Sequence, residues 1–214
     1  AIRAAAYASL EPDERARIHL AIGRELLRTL DRKALDQRVF ELVEHLDRGY
    51  RLDDAAGVAA LGDAEQIEVA ELNLRAGQRA LVSGAPESAA SYLEVARRTL
   101  APKGTPQQGR HALHVEIELA SARADVLTGR PDAALARLTA LSERALDAEP
   151  LGRVTETHVW ALTVSGRFSE GLRVALAGLR RLGFAVPRWP TRRHMVMGLL
   201  RLTTLTTRRS LEHL

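Results

Sequence analysis

The chain has 214 residues, a formal net charge of +4 and no cysteine. Disulfides and thiolate metal sites are therefore excluded, and nucleic-acid binding would require clustered rather than total positive charge. Aromatic residues make up only 4% of a chain that is 46% hydrophobic. This composition, rich in alanine, leucine, arginine and glutamate, favours helices over a β-sandwich.

The sequence shows neither a membrane-span pattern nor a signal-peptide pattern. No apolar run of the sequence approaches the roughly 20 residues that a membrane span requires. Acidic residues begin at Glu11, which is too early for a signal peptide. We therefore expect a cytoplasmic protein with no membrane partner.

The first part of the chain predicts two helices and a loop. Pro12 suits the first turn of a helix, and we expect that helix to cover Asp13–Leu30. Its apolar face, at a spacing of four residues, comprises Ile18, Ile22, Leu26 and Leu30. A second helix is expected at Ala34–Arg48, where Gly49 stops it. Residues 53–62 are predicted as a loop or a short turn.

A pair of helices around residue 84 is the clearest local feature. Asp63 followed by Gln66 resembles a capping box and opens a helix that extends to about Ser83. Gly84-Ala85-Pro86 breaks this helix, and a second one follows at Pro86–Leu100. Small residues at facing positions let two antiparallel helices pack closely. We expect this packing at Gly77, Ala89, Leu93 and Ala96.

Helical spacing resumes beyond a proline-containing linker at residues 101–106. Four further helices are predicted at Leu113–Leu127, Asp132–Ala148, Leu151–Ser165 and Ser169–Leu182. Residues 183–187 are expected to be extended, because the residue before a proline avoids helical angles. A last helix is predicted to begin at Thr191.

Three of the turns share one pattern. A glycine at position 84, 129 or 166 follows a helix, and a small residue lies five positions further on. The small residues are Ala89, Ala134 and Gly171. The pattern indicates an internal repeat of helix hairpins, so we predict an all-α solenoid of about nine helices. Helix packing is expected at Ala134, Leu138 and Gly171.

The sequence divides into a repeat domain and a C-terminal region. We assign residues 1–187 to a helical repeat domain, with a sub-break at 101–106. Residues 188–214 are assigned to a basic helix that leads to a following domain. Within the repeat domain, Gly77, Ala89, Leu93 and Ala96 stand at the offsets of the small and aliphatic residues in the tetratricopeptide repeat. The domain therefore resembles a tetratricopeptide-like array.

Three stretches, taken in order, resemble one class of multidomain protein. They are Ala5–Tyr7 with Ile18–Leu27, Ala70–Gly77 with Ala89–Leu93, and Leu179–Pro187 with Pro190, Thr191 and Ser210–Leu214. They are similar to the region after the AAA-like ATPase domain of large bacterial signalling proteins, which also carry a Ser/Thr kinase and often a histidine kinase. The resemblance implies a regulatory region whose partners are the neighbouring ATPase domain and another protein.

Two groups of polar residues admit a chemical interpretation. The first comprises His111, His114, Glu116 and Glu118. Zinc-binding helices place ligands four residues apart and need a third ligand from elsewhere, so we interpret these as exposed helix residues. His19, Arg24 and Glu25 fit a surface salt bridge better than an acid–base pair, which would require a pocket. We assign no catalytic, metal or cofactor site.

The C-terminal region carries the remaining candidates. Its basic residues are Arg188, Arg192, Arg193, Arg201, Arg208 and Arg209. No groove-reading motif or stacking platform accompanies them, so they favour a solvated or protein-facing surface over a nucleic-acid site. The candidate partner-binding residues are Trp189, Arg188, Arg192, Arg193 and Arg201. Trp160, which lies in an apolar hairpin, is expected in the core.

Two functions from different classes fit these features. The first is a non-catalytic interaction scaffold that couples partner binding to the ATPase domain. The second is a small-molecule sensor, as in ATPase-linked transcription activators. A sensor should enclose a pocket with convergent polar groups, whereas a scaffold should present an open face. No residues support a stand-alone enzyme.

Overall fold

The computed structural model describes Tyr7 and residues 10–100, 108–144 and 146–184. Of these residues 84% are helical and none forms a strand, which confirms the all-α prediction. The described part contains nine helices. They are α1 (Pro12–Thr29), α2 (Arg32–Tyr50), α3 (Ala55–Ala60), α4 (Asp63–Val82), α5 (Pro86–Thr99), α6 (Gln108–Leu127), α7 (Pro131–Ser142), α8 (Ala148–Val164) and α9 (Phe168–Arg181).

Neighbouring helices pair into hairpins, and the hairpins stack. The pairs are α1–α2, α4–α5, α6–α7 and α8–α9, and α5 also packs on α6 and α7 on α8. A second set of contacts joins α4 to α6 and α6 to α8. One layer of the stack therefore consists of the first helices of successive hairpins, as in a solenoid. Because α5 contacts α6, the helices on both sides of the predicted sub-break pack together.

The same turn ends four of the helices. Gly84, Gly129, Gly166 and Gly183 have φ between 73° and 85°, which is the left-handed region that glycine adopts without steric cost. At the first of them the Ala85 N–H donates to the Ala80 carbonyl at 2.9 Å. This six-to-one bond defines a Schellman motif, and equivalent bonds occur at the other three glycines. The sequence predicted the first three turns.

Helix α6 lies between two hydrophobic clusters. Toward α4 and α5 it contributes Leu113, Ile117, Ala120 and Ala124. Toward α7 and α8 it contributes Val115, Leu119, Ala122 and Val126. Few residues on α6 remain exposed, and they include Arg123 and Leu127. A helix that is apolar on both sides is buried, and α6 is accordingly the central element of the array.

The predicted apolar face of the first helix is wrong at Ile18 and Ile22, whereas Leu26 packs against a hydrophobic cluster of α2 and α4. Ile18 and Ile22 are 41% and 40% exposed, whereas the buried residues of α1 are His19 and Gly23. Glycines set this orientation, because they let α1 and α2 approach closely. A Cβ on Gly49 would lie 2.6 Å from the Leu20 backbone nitrogen, so α1 must turn this side toward α2.

The residues between α2 and α4 also differ from the prediction. The expected loop contains the short helix α3, whose first turn is capped by the Asp54 carboxylate accepting from the Ala56 N–H at 3.1 Å. The residue that caps α4 is Glu65, which accepts from the Gly62 N–H at 3.1 Å. Gln66 is instead buried and donates to the Leu61 carbonyl at 3.1 Å. The capping box was therefore predicted one residue too late.

The boundary between α7 and α8 lies earlier than expected. Helix α7 ends at Ser142, and α8 begins at Ala148 with Pro150 in its first turn. A proline is tolerated there because the first N–H groups of a helix have no intrahelical acceptor. The predicted helix from Thr191 lies outside the described residues. No helix in the described part is both long and apolar enough to cross a bilayer.

Candidate functional site

A groove of about 570 Å³ crosses the layer formed by α4, α6 and α8. Its walls are mainly apolar and include Val82, Leu119, Leu127 and Trp160. The three helices lie side by side because hairpin stacking brings the first helix of each pair into one layer. The groove is open to solvent along one side, so it can accept an extended segment of another molecule.

Exposed apolar side chains recur at one position of the repeat. Val82, Leu127 and Val164 each stand two residues before a left-handed glycine, and they are 90%, 52% and 59% exposed. Because identical turns end the three helices, these side chains have the same place in successive hairpins. Val82 and Leu127 line the groove, and Val164 occupies the equivalent place on α8. We call these three residues the apolar row.

The charged groups of the groove are only partly paired. Arg153 on α8 donates to both carboxylate oxygens of Glu116 on α6, with its Nη2 at 2.7 Å from Oε2. This hydrogen bonding raises the pKa of Arg153. Arg123 on α6 and Glu156 on α8 also line the groove; both are exposed, and neither forms an ion pair with another described residue. The groove thus combines apolar walls with one guanidinium group and one carboxylate that have no ion-pair partner in the described part of the chain.

Trp160 does not lie in the core as expected. It is partly buried beside the cluster of α7 and α8, and its remaining surface lines the groove. Sequence reasoning placed it by the apolar character of its hairpin, which does not separate a core residue from a groove residue. It also missed the apolar row, although the spacing of Val82, Leu127 and Val164 from the turn glycines was visible in the sequence.

The predicted packing residues lie between the helices of the hairpins. Ala89, Leu93 and Ala96 are buried on α5, and Gly77 is buried on the facing side of α4. Ala134 and Leu138 are buried in the cluster of α7 and α8. Gly171 is buried on α9. The predicted partner-binding residues Trp189, Arg188, Arg192, Arg193 and Arg201 lie outside the described residues.

The group around His111 is not an exposed surface. Glu118 is buried and accepts a hydrogen bond from the Arg137 Nη1 at 2.7 Å, and Arg137 also donates through Nε to Asp125 at 3.0 Å. His114 is half-buried, and this burial lowers its pKa. Among the described residues no three His, Asp or Glu side chains form a possible metal site. These carboxylates instead fasten α6 to α7 and α8.

His19 was expected on the surface, but it is buried. Its Nε2 lies 2.8 Å from the Tyr7 hydroxyl, and its Nδ1 lies 2.8 Å from Nδ1 of His45. Burial and the neighbouring His45 lower the pKa of His19. Glu25 pairs at the surface with Arg28, at 2.7 Å. His19 therefore belongs to an internal chain of hydrogen bonds, which the helical periodicity did not indicate.

Comparisons with known proteins give no relative for this chain. No family model, no curated protein and no solved structure matches it. A functional argument for this chain therefore depends on its own residues and their arrangement.

Proposed function

We propose that this chain is a non-catalytic protein-interaction scaffold, and that a segment of the partner binds in the groove across α4, α6 and α8. The observation that carries the proposal is the apolar row, two of whose side chains stand exposed at the groove. Exposed apolar side chains beside a groove are typical of interaction sites. Solenoids provide extended surfaces for such contacts.

The groove also favours a chemical class of partner. Glu116 and Arg153 neutralise each other, whereas Arg123 and Glu156 each lack an ion-pair partner among the described residues. A guanidinium group pairs well with a carboxylate because two N–H donors can bind its two oxygens. We therefore propose a segment with apolar side chains flanking an aspartate or glutamate, with the acidic side chain opposite Arg123.

The place of this scaffold in a larger protein is proposed from the resemblance to bacterial signalling ATPases. In that setting, partner binding to the repeats would be coupled to the nucleotide state of the neighbouring ATPase domain. Coupling of this kind needs two arrangements of the array with different affinities for the partner. The sensor alternative requires an enclosed cavity, whereas the groove described above is open, so the scaffold is the better-supported proposal.

Selection from a random peptide library displayed on phage tests the groove directly. We expect enrichment of peptides with apolar residues around an acidic one. Leu127→Asp and Arg123→Glu should each weaken the selected peptides by about tenfold or more, as for central interface residues. Leu172→Asp is the matched control, because Leu172 is 62% exposed on α9 and does not line the groove. Fluorescence polarisation measures the affinities.

Two results would contradict the groove proposal. One is a selection that enriches no peptide above a scrambled control. The other is a selected peptide that binds the Leu127→Asp and Arg123→Glu variants as tightly as the original chain, since it would then bind elsewhere. Circular dichroism melting of each variant verifies that lost binding does not reflect lost folding.

The proposed coupling is tested in the longer protein that the resemblance implies. Replacement of Arg192, Arg193 and Arg201 by glutamate should change ATPase activity and partner binding if this region faces another domain or an acidic partner. Because exposed charges are screened by salt, the effect should be larger at low ionic strength. Unchanged activity and binding at low and physiological salt would leave those arginines as a solvated surface.

A further inference from the structure

Three buried polar atoms of the described residues have no hydrogen-bond partner: Arg15 Nε, Asn73 Oδ1 and Arg98 Nε. Two of these atoms belong to arginines in the lining of one depression of about 490 Å³, which lies between α1, the C-terminal end of α2, and α5. Arg15 and Arg98 line it directly, and Asn73 donates to Asp47, which also lines it. Unsatisfied buried groups are rare in folded proteins, so their concentration at one place indicates a site.

Two of the four arginines that line this depression have unused hydrogen-bonding capacity. Arg48 and Arg51 are each paired with a carboxylate at 2.9 Å, on Glu44 and Asp13. The nearest carboxylate oxygen to Arg98 Nε is 3.9 Å away, which exceeds hydrogen-bonding distance. Arg15 forms no ion pair with another described residue and lies over the Tyr7 ring, 5.6 Å from its centroid.

Asp47 adds a titratable group to the same depression. Its carboxylate accepts from the Asn73 Nδ2 at 2.9 Å, and burial raises its pKa to about 6. The charged and titratable groups around it are Arg98 from α5, His19 and Arg15 from α1, Arg48 and Glu44 from its own helix, and Arg51 and Asp53 from the following turn. Near neutral pH Asp47 is therefore present partly as a neutral acid, which can donate a hydrogen bond.

The backbone at this place is also unusual. Arg51 is the one residue other than glycine with a positive φ in the described part of the chain, at 56°. The turn is fixed by the Leu52 N–H, which donates to the Asp47 carbonyl at 2.9 Å. This is the six-to-one bond that also occurs at the four glycines, so Arg51 ends α2 in a Schellman motif. The turn places Asp47 and Arg51 at the edge of the depression.

We propose that this depression binds a small oxyanion, such as the phosphate or carboxylate group of a metabolite, through the guanidinium groups of Arg15 and Arg98. Asp47 supplies a third donor when it carries its proton. Guanidinium groups bind oxyanions through paired N–H donors, and the two arginines that lack acceptors supply them. The site is separate from the groove across α4, α6 and α8, so it stands or falls independently of the scaffold proposal.

Tyr7 provides a fourth donor through a chain of hydrogen bonds. When His45 donates to His19 Nδ1, the Nε2–H of His19 donates to the Tyr7 oxygen. The Tyr7 hydroxyl proton is then available to the anion, because Tyr7 also lines the depression. The two imidazoles thus orient Tyr7, and His19 also lines the depression itself.

NMR titration of the whole chain with sodium sulfate, at constant ionic strength, tests the proposal. Sulfate keeps its charge between about pH 5.5 and about pH 8, so a change in affinity reports protein groups that titrate around the pKa of about 6. We expect saturable shifts of the Arg15 and Arg98 side-chain signals. Sulfate affinity should fall about tenfold for each pH unit above 6, because Asp47 must then take up a proton. Acetate is the second probe and distinguishes a carboxylate site from a phosphate-type site.

Matched variants identify the side chains that bind sulfate. Arg15→Gln and Arg98→Gln should each weaken sulfate binding about tenfold. Arg17→Gln and Arg97→Gln should change it less than about twofold, since Arg17 is exposed and Arg97 is paired with Glu94. The sulfate affinity of Asp47→Asn at about pH 8 should equal that of the original chain at about pH 5.5. The asparagine amide donates a hydrogen bond without having to take up a proton.

Three outcomes would overturn the proposal. If neither sulfate nor acetate produces saturable shifts of the NMR signals, the depression is not an oxyanion site. If Arg17→Gln and Arg97→Gln weakened sulfate binding as much as Arg15→Gln and Arg98→Gln, the binding would be due to general surface charge. If sulfate affinity still depended on pH in Asp47→Asn, the group that takes up the proton would be His19 and not Asp47. The backbone amide spectrum of each variant shows whether the fold is retained.

Discussion

Leu93 on α5 fills the space that a side chain on Gly77 of α4 would occupy. A Cβ placed on Gly77 would lie 2.6 Å from the Cγ of Leu93, well inside contact distance. Leu93 is 1% exposed and cannot move aside without disturbing the cluster around it. This pair sets how closely the two helices of the hairpin approach each other. Substitutions at Gly77 therefore test how tightly the two helices pack.

Gly77→Ala should destabilise the fold, whereas Gly171→Ala should not. Alanine is favoured over glycine inside a helix by about 1 kcal/mol, but at Gly77 overpacking against Leu93 outweighs this gain at a cost of about 1–3 kcal/mol. At Gly171 the nearest atom to a new Cβ is 3.6 Å away, which is an ordinary contact. Urea unfolding of both variants should therefore give changes of opposite sign. Gly77→Leu should cost more, about 2–4 kcal/mol.

Ala89→Asp should lower the free energy of unfolding by about 2–4 kcal/mol. Ala89 is fully buried on α5, so the new carboxylate would have no water and no cation near it. Ser88→Asp is the matched control, because Ser88 is the exposed neighbour on the same turn. Thermal melting followed by circular dichroism compares them. If Ala89→Asp melted like the control, Ala89 would not lie at the contact between the helices.

Arg137→Met should be the most damaging change of a charged residue. It would leave the buried carboxylate of Glu118 without a cation, whereas Asp125 would keep its ion pair with Arg130 at 3.0 Å. Breaking a buried ion pair in this way costs about 3–5 kcal/mol. Arg28→Met removes an exposed pair with Glu25 and should leave the urea midpoint unchanged. An unchanged urea midpoint in Arg137→Met would contradict this prediction.

Asp47→Asn should stabilise the fold above pH 6. The pKa of Asp47 is raised from 3.8 to about 6 by burial, so the folded state binds the proton more tightly than the unfolded state. This makes the aspartate costly at high pH. The cost is absent below pH 3.8, grows between pH 3.8 and about 6, and reaches about 2–3 kcal/mol above that range. Asparagine keeps an acceptor for the Asn73 amide and removes the charge.

Urea unfolding at several pH values checks this effect against the original chain. The two proteins should differ most at about pH 8 and converge in acid. Buried His19, His114 and His158, whose pKa values are lowered by burial, should destabilise both proteins below pH 6.5, where the unfolded chain takes up protons first. Taking the difference between the proteins cancels this shared effect. An unchanged or lower stability of Asp47→Asn at pH 8 would contradict the prediction.

Local signals of the sequence were sufficient for the helices and for most of their ends. A glycine that ends a helical run, with a small residue five positions further on, identified the turns at Gly84, Gly129 and Gly166. Glycine is informative there because few other residues adopt a left-handed conformation. The small residues at Gly77 and Ala89 indicated a close helix contact. These features depend on neighbours along the chain, which is why the sequence contained them.

The orientation of helices and the burial of polar groups were not predictable in the same way. Ile18 and Ile22 had the correct spacing for a buried face, but Gly23 and Gly49 decided which side of α1 met α2. Burial of Asp47 and Glu118 depends on partners 26 and 19 positions away along the chain. The groove and the oxyanion site likewise combine helices that are distant in sequence.

The position of α6 between two hydrophobic clusters has a consequence for how the array unfolds. Solenoids commonly fray from their ends, because each repeat depends mainly on its neighbours. Opening of either flanking hairpin would strip one side of α6, while the other side stays packed. The amides of α6 should therefore exchange with deuterium only through global unfolding, and those of α1 and α9 through smaller openings. Groove residues on α6 are thus held by the slowest-exchanging part of the molecule.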